Sequence, residues 1–343
     1  MNELQTILSD SVNGLLAERV TKNLIQSAED GIWPDVLWNE LEANGLTRVL
    51  APESHGGAGG TWADAAIVLK AAGRHVTPLP LAEAVLAHWL LAEAGIAAPD
   101  GVLTVMEGDF TLDGSEFSGI ARRVPWGRQA AHGVALVEGG AGPTMVLVPF
   151  EGAVIAPDIN VAREPRDTVT LKAATATTAA VTLPENALRL YGALARACQM
   201  AGALDYLAAQ TVAYANERTQ FGKPIGKFQA IQQQLAVLAT QAAATGIAAD
   251  HACAQATRRK EDAAFEIAVA KIRADDASSI ATSIAHQVHG AIGFTYEHGL
   301  HFATRRLWSW RAEFGAGAEW AESLGRETIS RGADALWPHV TAR

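Results

Sequence analysis

The sequence pattern changes twice along this chain, and the two changes divide it into three structural units. Residues 1–100 and 184–343 carry the amphipathic and alanine-rich runs that are typical of helices. Residues 101–183 carry short, often β-branched runs separated by Gly, Pro and Asp, which predict strands. We therefore expect an α+β protein with an N-terminal helical domain (1–100), a middle β-domain (101–183) and a C-terminal four-helix bundle (184–343).

The middle unit is predicted to hold six or seven strands, and Leu112-Asp-Gly-Ser within it predicts a hairpin turn. The strand-like runs begin at Val102, Phe110, Gly133, Thr144, Val154, Thr168 and Ala179. In the last unit, the periodicity predicts long helices over 185–216, 228–256, 261–289 and 316–331.

Composition excludes several classes of protein. With 49% apolar and 19% charged residues, the chain is globular and not disordered. A net charge of −10 argues against a general nucleic-acid binder. There is no uncharged apolar run of the roughly 18 residues that a membrane span needs, and no signal-peptide pattern, so we expect a cytoplasmic protein. Cys198 and Cys253 lie in apolar helical patterns and are expected to be reduced, buried thiols.

One segment, Tyr214-Ala-Asn-Glu-Arg-Thr-Gln-Phe-Gly-Lys-Pro-Ile-Gly-Lys-Phe-Gln, joins two of the predicted helices. Arg218 follows the first helix, and its planar guanidinium can donate two hydrogen bonds to a diphosphate. The free N–H groups at the start of the next helix also favour an anion. The residues alone equally allow a solvated Arg–Glu pair beside a structural turn. Further candidate contacts are a donor, two aromatic rings and a first-turn residue: Gln220, Phe221, Phe228 and Gln229.

Two glycine-rich segments could approach a ligand with their backbones. In His286-Gln-Val-His-Gly-Ala-Ile-Gly-Phe, a helix is predicted to end at Gly290, and the glycines would let backbone amides approach a ligand. The same pattern is also typical of an ordinary helix that ends at a glycine. The loop Ala51-Pro-Glu-Ser-His-Gly-Gly-Ala-Gly-Gly could either connect two helices or lie near a ligand.

The two later segments together resemble the acyl-CoA dehydrogenase family. The pattern is Tyr-x-x-x-Arg-x-Gln-Phe-Gly-x-Pro-Ile-x-x-Phe-Gln-x-x-Gln, followed about sixty residues later by Gln-x-x-Gly-x-x-Gly-Phe. The order of the three units and the loop at 51–60 are also similar to that family. The resemblance implies FAD-dependent α,β-dehydrogenation of an acyl-CoA thioester, with a glutamate that removes the α proton, and electron-transfer flavoprotein as the electron acceptor.

In the family, FAD lies across a subunit interface, and one subunit reaches over to hold the diphosphate and adenine of its neighbour. The resemblance assigns this reaching-over role to two groups of residues in the present chain. By position they are Arg218, Gln220, Phe221, Ile225, Phe228 and Gln229, and then Gln287, Val288, Gly290 and Ala291.

The other half of the family's site departs from the pattern. Residues 101–120 contain no Thr-Glu-Pro segment followed by Gly-Ser-Asp, and only Trp126 falls near the usual flavin-flanking position. Alignment from Gly293 puts Phe314, or Gly315 after a one-residue slip, at the position of the catalytic base. The family's alternative base position falls at 191–193, again without a carboxylate. Glu313 is the nearest carboxylate to the first position.

These departures lead to three hypotheses. The resemblance favours the short, non-catalytic subunit of a heterotetrameric (α2β2) bacterial acyl-CoA dehydrogenase of the steroid type, for which the expected substrate is a steroid side-chain thioester. A self-sufficient homotetramer using Glu313 as base is the second, and a flavin-free scaffold of the same fold is the third. The i, i+3 histidine pairs at 286/289 and 298/301 have no converging ligand set, so no metal site is predicted.

Overall fold

The computed structural model describes residues 2–139, 142–258 and 262–342. The N-terminal unit begins with a capping box, in which the Asn2 side chain accepts from the Gln5 N–H and the Gln5 side chain accepts from the Asn2 N–H. Every residue from 81 to 91 is buried, as expected of a helix that is apolar on all sides. The helices of this unit are α1 (Glu3–Arg19), α2 (Lys22–Glu29), α3 (Asp35–Ala43), α4 (Trp62–Arg74) and α5 (Leu81–Glu93).

The middle unit is two four-stranded sheets packed face to face, in the orders β1-β4-β5-β8 and β2-β3-β7-β6. All strand pairs in them are antiparallel except β1 with β4. The strands are β1 (Leu103–Val105), β2 (Gly108–Asp113), β3 (Glu116–Pro125), β4 (His132–Gly139), β5 (Gly142–Pro149), β6 (Val154–Ala156), β7 (Arg166–Thr175) and β8 (Thr177–Ala180).

The first sheet contributes to two cores because its side chains alternate between its faces. Val134 and Met145 face the helices and join the main core of the protein. Ala135 and Val146, one residue further along each strand, face the second sheet. The β-domain is thus held against the helical units by an apolar layer.

The predicted strand count was too low, because β3 was missed. Its sequence, Glu-Phe-Ser-Gly-Ile-Ala-Arg-Arg-Val-Pro, has two adjacent arginines and a glycine where an alternating pattern was sought. The predicted hairpin turn is confirmed, since Gly114 and Ser115 connect β2 to β3 with Asp113 opposite Glu116.

The predicted fold class is confirmed, with two additions to the helices of the last unit. The additions are α9 and α11. The predicted helix start at 261 lies outside the described residues. The helices are α6 (Ala187–Glu217), α7 (Gln229–Arg258), α8 (Ala264–His289), α9 (Leu300–Trp310), α10 (Gly317–Arg331) and α11 (Ala333–Thr341).

The bundle meets the N-terminal unit at a close crossing of α4 and α6. A Cβ atom at Gly73 would lie 1.9 Å from the carbonyl oxygen of Gln199, and one at Gly202 would lie 1.9 Å from that of Lys70. Real Cβ atoms do not approach that closely, so both positions require glycine. Backbone contact therefore sets the distance between the two helices.

We expect Gly73→Ala and Gly202→Ala each to lower the free energy of unfolding by about 1–3 kcal/mol, because the added methyl group must separate the helices. Gly246→Ala on α7 is the matched control, because a Cβ there meets nothing within 4 Å. Alanine at this interior helical position should add about 0.5–1 kcal/mol. Urea unfolding measures all three. Unchanged stability of both crossing variants would contradict this account.

Candidate functional site

The predicted cofactor segment forms a small projecting hairpin between α6 and α7. Its strands are β9 (Thr219–Gln220) and β10 (Lys223–Pro224). The two turn residues, Phe221 and Gly222, have φ of 51° and 78°, as in the tight turns with two positive φ angles that suit hairpins. Phenylalanine rarely adopts such a φ. Phe221 is also 93% exposed, so an aromatic ring is held in a strained position at the surface.

Arg218 has a fixed backbone and an exposed side chain with no ion-pair or hydrogen-bond partner among the described residues. Its N–H donates to the Tyr214 carbonyl (2.9 Å), and its carbonyl accepts from the Ile225 N–H (2.8 Å). The solvated Arg–Glu pair that the sequence allowed is therefore not formed. An anchored arginine with a free guanidinium fits an anionic group such as a diphosphate.

Aromatic rings and an ammonium group surround the start of α7. Lys223 Nζ lies 4.4 Å from the centre of the Phe228 ring, and the Phe221 ring meets Phe228 edge to face at 6.3 Å. Gln229, also exposed, begins α7, whose first N–H groups have no partner within the helix. Donors, a cation and aromatic surface are thus brought together.

The second predicted segment lies at the same end of the bundle. The Tyr214 ring stacks on His289 with 4.4 Å between centres, and its hydroxyl donates to the His289 carbonyl (3.3 Å). Gln287, Gly290 and Ala291 around this histidine are exposed. Val288 is only 6% exposed, so its side chain packs inside and supports the segment.

The two positions where the family resemblance puts a catalytic base meet in the structure. Gly192 on α6 faces Phe314, so closely that a Cβ at Gly192 would lie 2.4 Å from Phe314 Cδ1. Phe314 has a φ of 55°, and Gly315 follows with 94°. The two positions are therefore in contact. One holds the aromatic ring of Phe314 and the other holds Gly192, which has no side chain, so neither holds a proton acceptor.

Glu313 belongs to a chain of six alternating charges, which we call the charge network. Glu313 Oε1 lies 2.7 Å from Arg166 Nε, and Oε2 lies 2.7 Å from Arg196 Nε. Arg196 also pairs with Glu83, and Arg166 Nη2 lies 3.0 Å from Glu164 Oε2. At its far end, Glu164 Oε1 lies 3.2 Å from the Nε of Arg306. In order, the members are Glu83, Arg196, Glu313, Arg166, Glu164 and Arg306.

This pairing makes Glu313 a weak proton acceptor. Burial alone would raise its pKa, but the guanidinium groups of Arg166 and Arg196 outweigh burial and lower the pKa to about 2. A general base works best with a pKa near the working pH. The contacts of Glu313 are therefore those of a structural charge.

Lys271 holds the turn that carries Glu313 and Phe314. From its fully buried position on α8, its ammonium donates to the carbonyls of Arg311 (2.6 Å) and Gly315 (2.8 Å). Burial lowers the pKa of Lys271 to about 8. Sequence reasoning missed Lys271, Arg166 and Arg196. Lys271 and Arg196 lie on helices, and each could have been noticed as a single charge inside an apolar helical run.

Trp126 and the loop at 51–60 both make close contacts within the protein. Trp126 is buried, and its ring meets Trp33 edge to face at 5.9 Å, so it packs against the N-terminal unit. In the loop, a Cβ at Gly57 would lie 2.0 Å from the Ala51 carbonyl oxygen. The loop therefore turns tightly between two helices, and most of its residues are exposed, so its placement near a ligand stays a prediction.

The four histidines at 286–301 pack with aromatic rings and hydrogen-bond to nearby groups. His289 meets His298 edge to face at 4.7 Å, and His286 Nε2 lies 3.0 Å from Thr304 Oγ1. The described residues contain no group of three or more His, Cys, Asp or Glu side chains that could hold a metal ion. Among the helices in the described ranges, none has the length and the apolar character that a membrane span requires.

Comparison with known proteins gives consistent matches over the whole fold. The family model "Acyl-CoA dehydrogenase, N-terminal domain" matches residues 2–98, and "Acyl-CoA dehydrogenase, C-terminal domain" matches residues 186–319. Acyl-CoA dehydrogenase IpdE2 of Mycobacterium tuberculosis is 32% identical over 327 residues, covering 89% of this chain and 91% of the relative. IpdE2 of Mycolicibacterium smegmatis is 28% identical over 312 residues, covering 89% and 93%.

Two solved structures share the fold. The steroid ACAD Tcur3481–Tcur3483, solved as a variant, has a TM-score of 0.88 and 26% identity, covering 97% of this chain and 99% of that chain. The ChsE4–ChsE5 complex from Mycobacterium tuberculosis has a TM-score of 0.88 at 23% identity, with the same coverage. At 23% identity, the likeness to the ChsE4–ChsE5 complex shows a shared fold alone.

Replacing Glu313 by Gln should lower the free energy of unfolding at pH 7 by about 3 kcal/mol, because two buried guanidinium groups lose their carboxylate. The pKa of Glu313 is lowered from 4.5 to about 2 by folding, so its contribution is complete above pH 4.5 and is lost as the pH falls toward 2. Urea unfolding between pH 7 and pH 3.5 should therefore show wild type and variant converging below pH 4.5.

Glu322→Gln is the control, since that exposed carboxylate forms an i, i+4 pair with Arg326. Its effect should stay within about 0.5 kcal/mol at every pH. A constant difference between wild type and Glu313→Gln over the whole pH range would contradict the lowered pKa.

Proposed function

Because this chain belongs to the acyl-CoA dehydrogenase family, a family of oxidoreductases, we propose that it is the accessory subunit of a heteromeric, FAD-dependent member. In this proposal a catalytic partner seats the flavin and supplies the base. The present chain holds the diphosphate and adenine end of that FAD. The reaction is the α,β-dehydrogenation of an acyl-CoA thioester.

The observation that carries this proposal is which residues occupy the two positions where the family has its catalytic base. Gly192 and Phe314 fill them, and Glu313, the carboxylate that directly precedes Phe314 in the sequence, is paired with two guanidinium groups. A proton acceptor must lie within hydrogen-bond reach of the proton that it removes. Within the described residues neither base position holds such a group, whereas the guanidinium of Arg218, in the segment for the other end of FAD, is exposed and unpaired.

The residues of the hairpin fit the anionic, aromatic part of FAD. The free guanidinium of Arg218 would donate to the diphosphate, and Gln220 and Gln229 would add donors beside it. Phe221 and Phe228 would flank the adenosine, with Ile225 beside them. Gln287, Gly290 and Ala291 would close the same end, with Val288 packed beneath. When bound, FAD would supply the hydride-accepting chemistry for the β carbon of the substrate.

The relatives support a heteromer and a steroid-related substrate. One solved neighbour is described as a steroid ACAD and carries two component names, and another is described as a complex of two proteins. We infer a heterotetramer, a steroid side-chain CoA thioester as substrate and an electron-transfer flavoprotein as electron acceptor. The last partner rests on the family resemblance.

Arg218→Ala should lower FAD retention of the co-purified complex at least tenfold, because hydrogen bonds from a charged group contribute about 1.5–3 kcal/mol each. Arg218→Lys should retain part of the affinity, because a point charge replaces the two-pronged donor. Flavin absorbance and the equilibrium dissociation constant for FAD measure the effect. Subunit association should be unchanged.

Arg326→Ala is the control, since Arg326 is an exposed arginine on α10, away from the hairpin. It should bind FAD like the wild type. FAD content that does not respond to Arg218→Ala would contradict the proposal and favour the flavin-free scaffold.

The purified chain by itself should show no dehydrogenase turnover, whereas its complex with a catalytic partner should. Acyl-CoA oxidation with an artificial electron acceptor measures both. Turnover by the chain alone, lost in Glu313→Gln under conditions where this variant remains folded but not in Glu322→Gln, would instead support the homotetramer with Glu313 as base.

A further inference from the structure

A cavity of about 340 Å³ lies between the β-domain and the bundle, at the end of α6 opposite to the hairpin. Arg189, near the start of α6, lines it, and Arg218 follows the other end of the same helix. With a rise of about 1.5 Å per residue, the two lie roughly 40 Å apart. The cavity is therefore separate from the segment that would hold the diphosphate and adenine.

One wall of the cavity is apolar and the rim is charged. Val105, Val124, Leu188 and Phe314 contribute the apolar surface. The inner end is bounded by Glu313 and Arg166, whose charges are already paired within the charge network. A ligand would thus meet apolar surface inside and would have to find its polar partners at the rim.

A β-bulge brings two adjacent arginines to this rim. On β3, Ala121 pairs with Val169 and Val124 with Asp167, so two residues of β3 stand opposite one of β7. Successive residues of a regular strand point to opposite faces. Here both extra residues, Arg122 and Arg123, line the same cavity.

Both guanidinium groups are available, and one of the two residues is strained. Arg122 and Arg123 are exposed, and neither has an ion pair or a side-chain hydrogen bond among the described residues. Arg123 has a φ of 56°, in the left-handed region that non-glycine residues rarely adopt. Strain of this kind persists where the surrounding structure imposes it, and it is concentrated at binding sites.

We propose that this cavity binds a small molecule with a single anionic group, a phosphate monoester or a carboxylate, on an apolar body. The anionic group pairs with Arg122 and Arg123, and the body lies on Leu188 and Phe314. Glu107 and Asp158 also line the cavity and disfavour a polyanion. The volume lies at the lower end of the range for small-molecule sites.

Calorimetric titration of the full chain with three probes tests this ligand class. The probes are phenyl phosphate, inorganic phosphate as the anion alone and benzyl alcohol as the body alone. Phenyl phosphate should bind at least tenfold more tightly than either, because only it uses both the rim and the apolar wall. Equal affinity for phenyl phosphate and inorganic phosphate, or no binding of phenyl phosphate, would overturn the proposal.

The combined variant Arg122→Gln/Arg123→Gln should weaken phenyl phosphate binding about ten- to hundredfold and leave the benzyl alcohol affinity unchanged. Lys172→Gln is the matched control, because Lys172 is an exposed cation on β7 that does not line the cavity. Ala312→Trp, at an exposed lining position, should block the binding of both aromatic probes. Unaltered binding of phenyl phosphate in the double variant would contradict the site.

Arg123→Gly separates a binding role from a structural one. Glycine adopts a φ of 56° without strain, so this variant should unfold at a higher temperature while binding phenyl phosphate more weakly. A lower unfolding temperature would show that Arg123 serves the fold. Displacement of phenyl phosphate by FAD would identify the cavity as a flavin site and also overturn the proposal. None of these outcomes depends on the partner subunit.

Discussion

The charge network is the interaction on which the arrangement of this protein depends. Its three carboxylates and three guanidinium groups alternate, and they come from α5, from the β-domain, from α6 and from α9 with the turn that follows it. Five of the six residues are buried. A buried charge is tolerated only beside its partner, so moving one unit relative to the others would leave charges unpaired in a poorly solvating interior. The network therefore restricts the three units to one relative orientation.

The same network bears on chemistry, because Glu313 is both its central carboxylate and the residue that directly precedes Phe314 in the sequence. A carboxylate that neutralises Arg166 and Arg196 holds its charge at low pH and does not accept a proton near neutrality. Beside it, Phe314 occupies the space that Gly192 leaves open. At this end of α6, Phe314 is thus committed to packing and Glu313 to charge pairing, while the hairpin end carries an unpaired arginine and an exposed aromatic ring. One helix thereby separates the two base positions from a region available to a cofactor or a partner.

Sequence reasoning succeeded where the signal is local in the chain. Long helices, most strands and the turn at Gly114 were predicted, because periodicity and turn chemistry depend on neighbouring residues. The missed elements have other causes. In β3 a bulge and two adjacent arginines interrupt the alternation, and α9 is rich in aromatic and charged residues whose burial depends on distant partners such as Glu164. The packing of Trp126 on Trp33, 93 positions earlier in the chain, likewise has no signal in the neighbouring residues.

By itself, the sequence determined the three-unit architecture, the family and the segments around Arg218 and Gly290. These features depend on patterns of residues that are contiguous in the chain, and such patterns can be recognised without coordinates. Only the tertiary structure decided that the two base positions touch, that Glu313 is paired with arginines 147 and 117 positions away, and that two adjacent arginines share one cavity. Those facts depend on which distant groups are brought within a few ångströms, and the pKa of a carboxylate or the freedom of a guanidinium follows from that proximity.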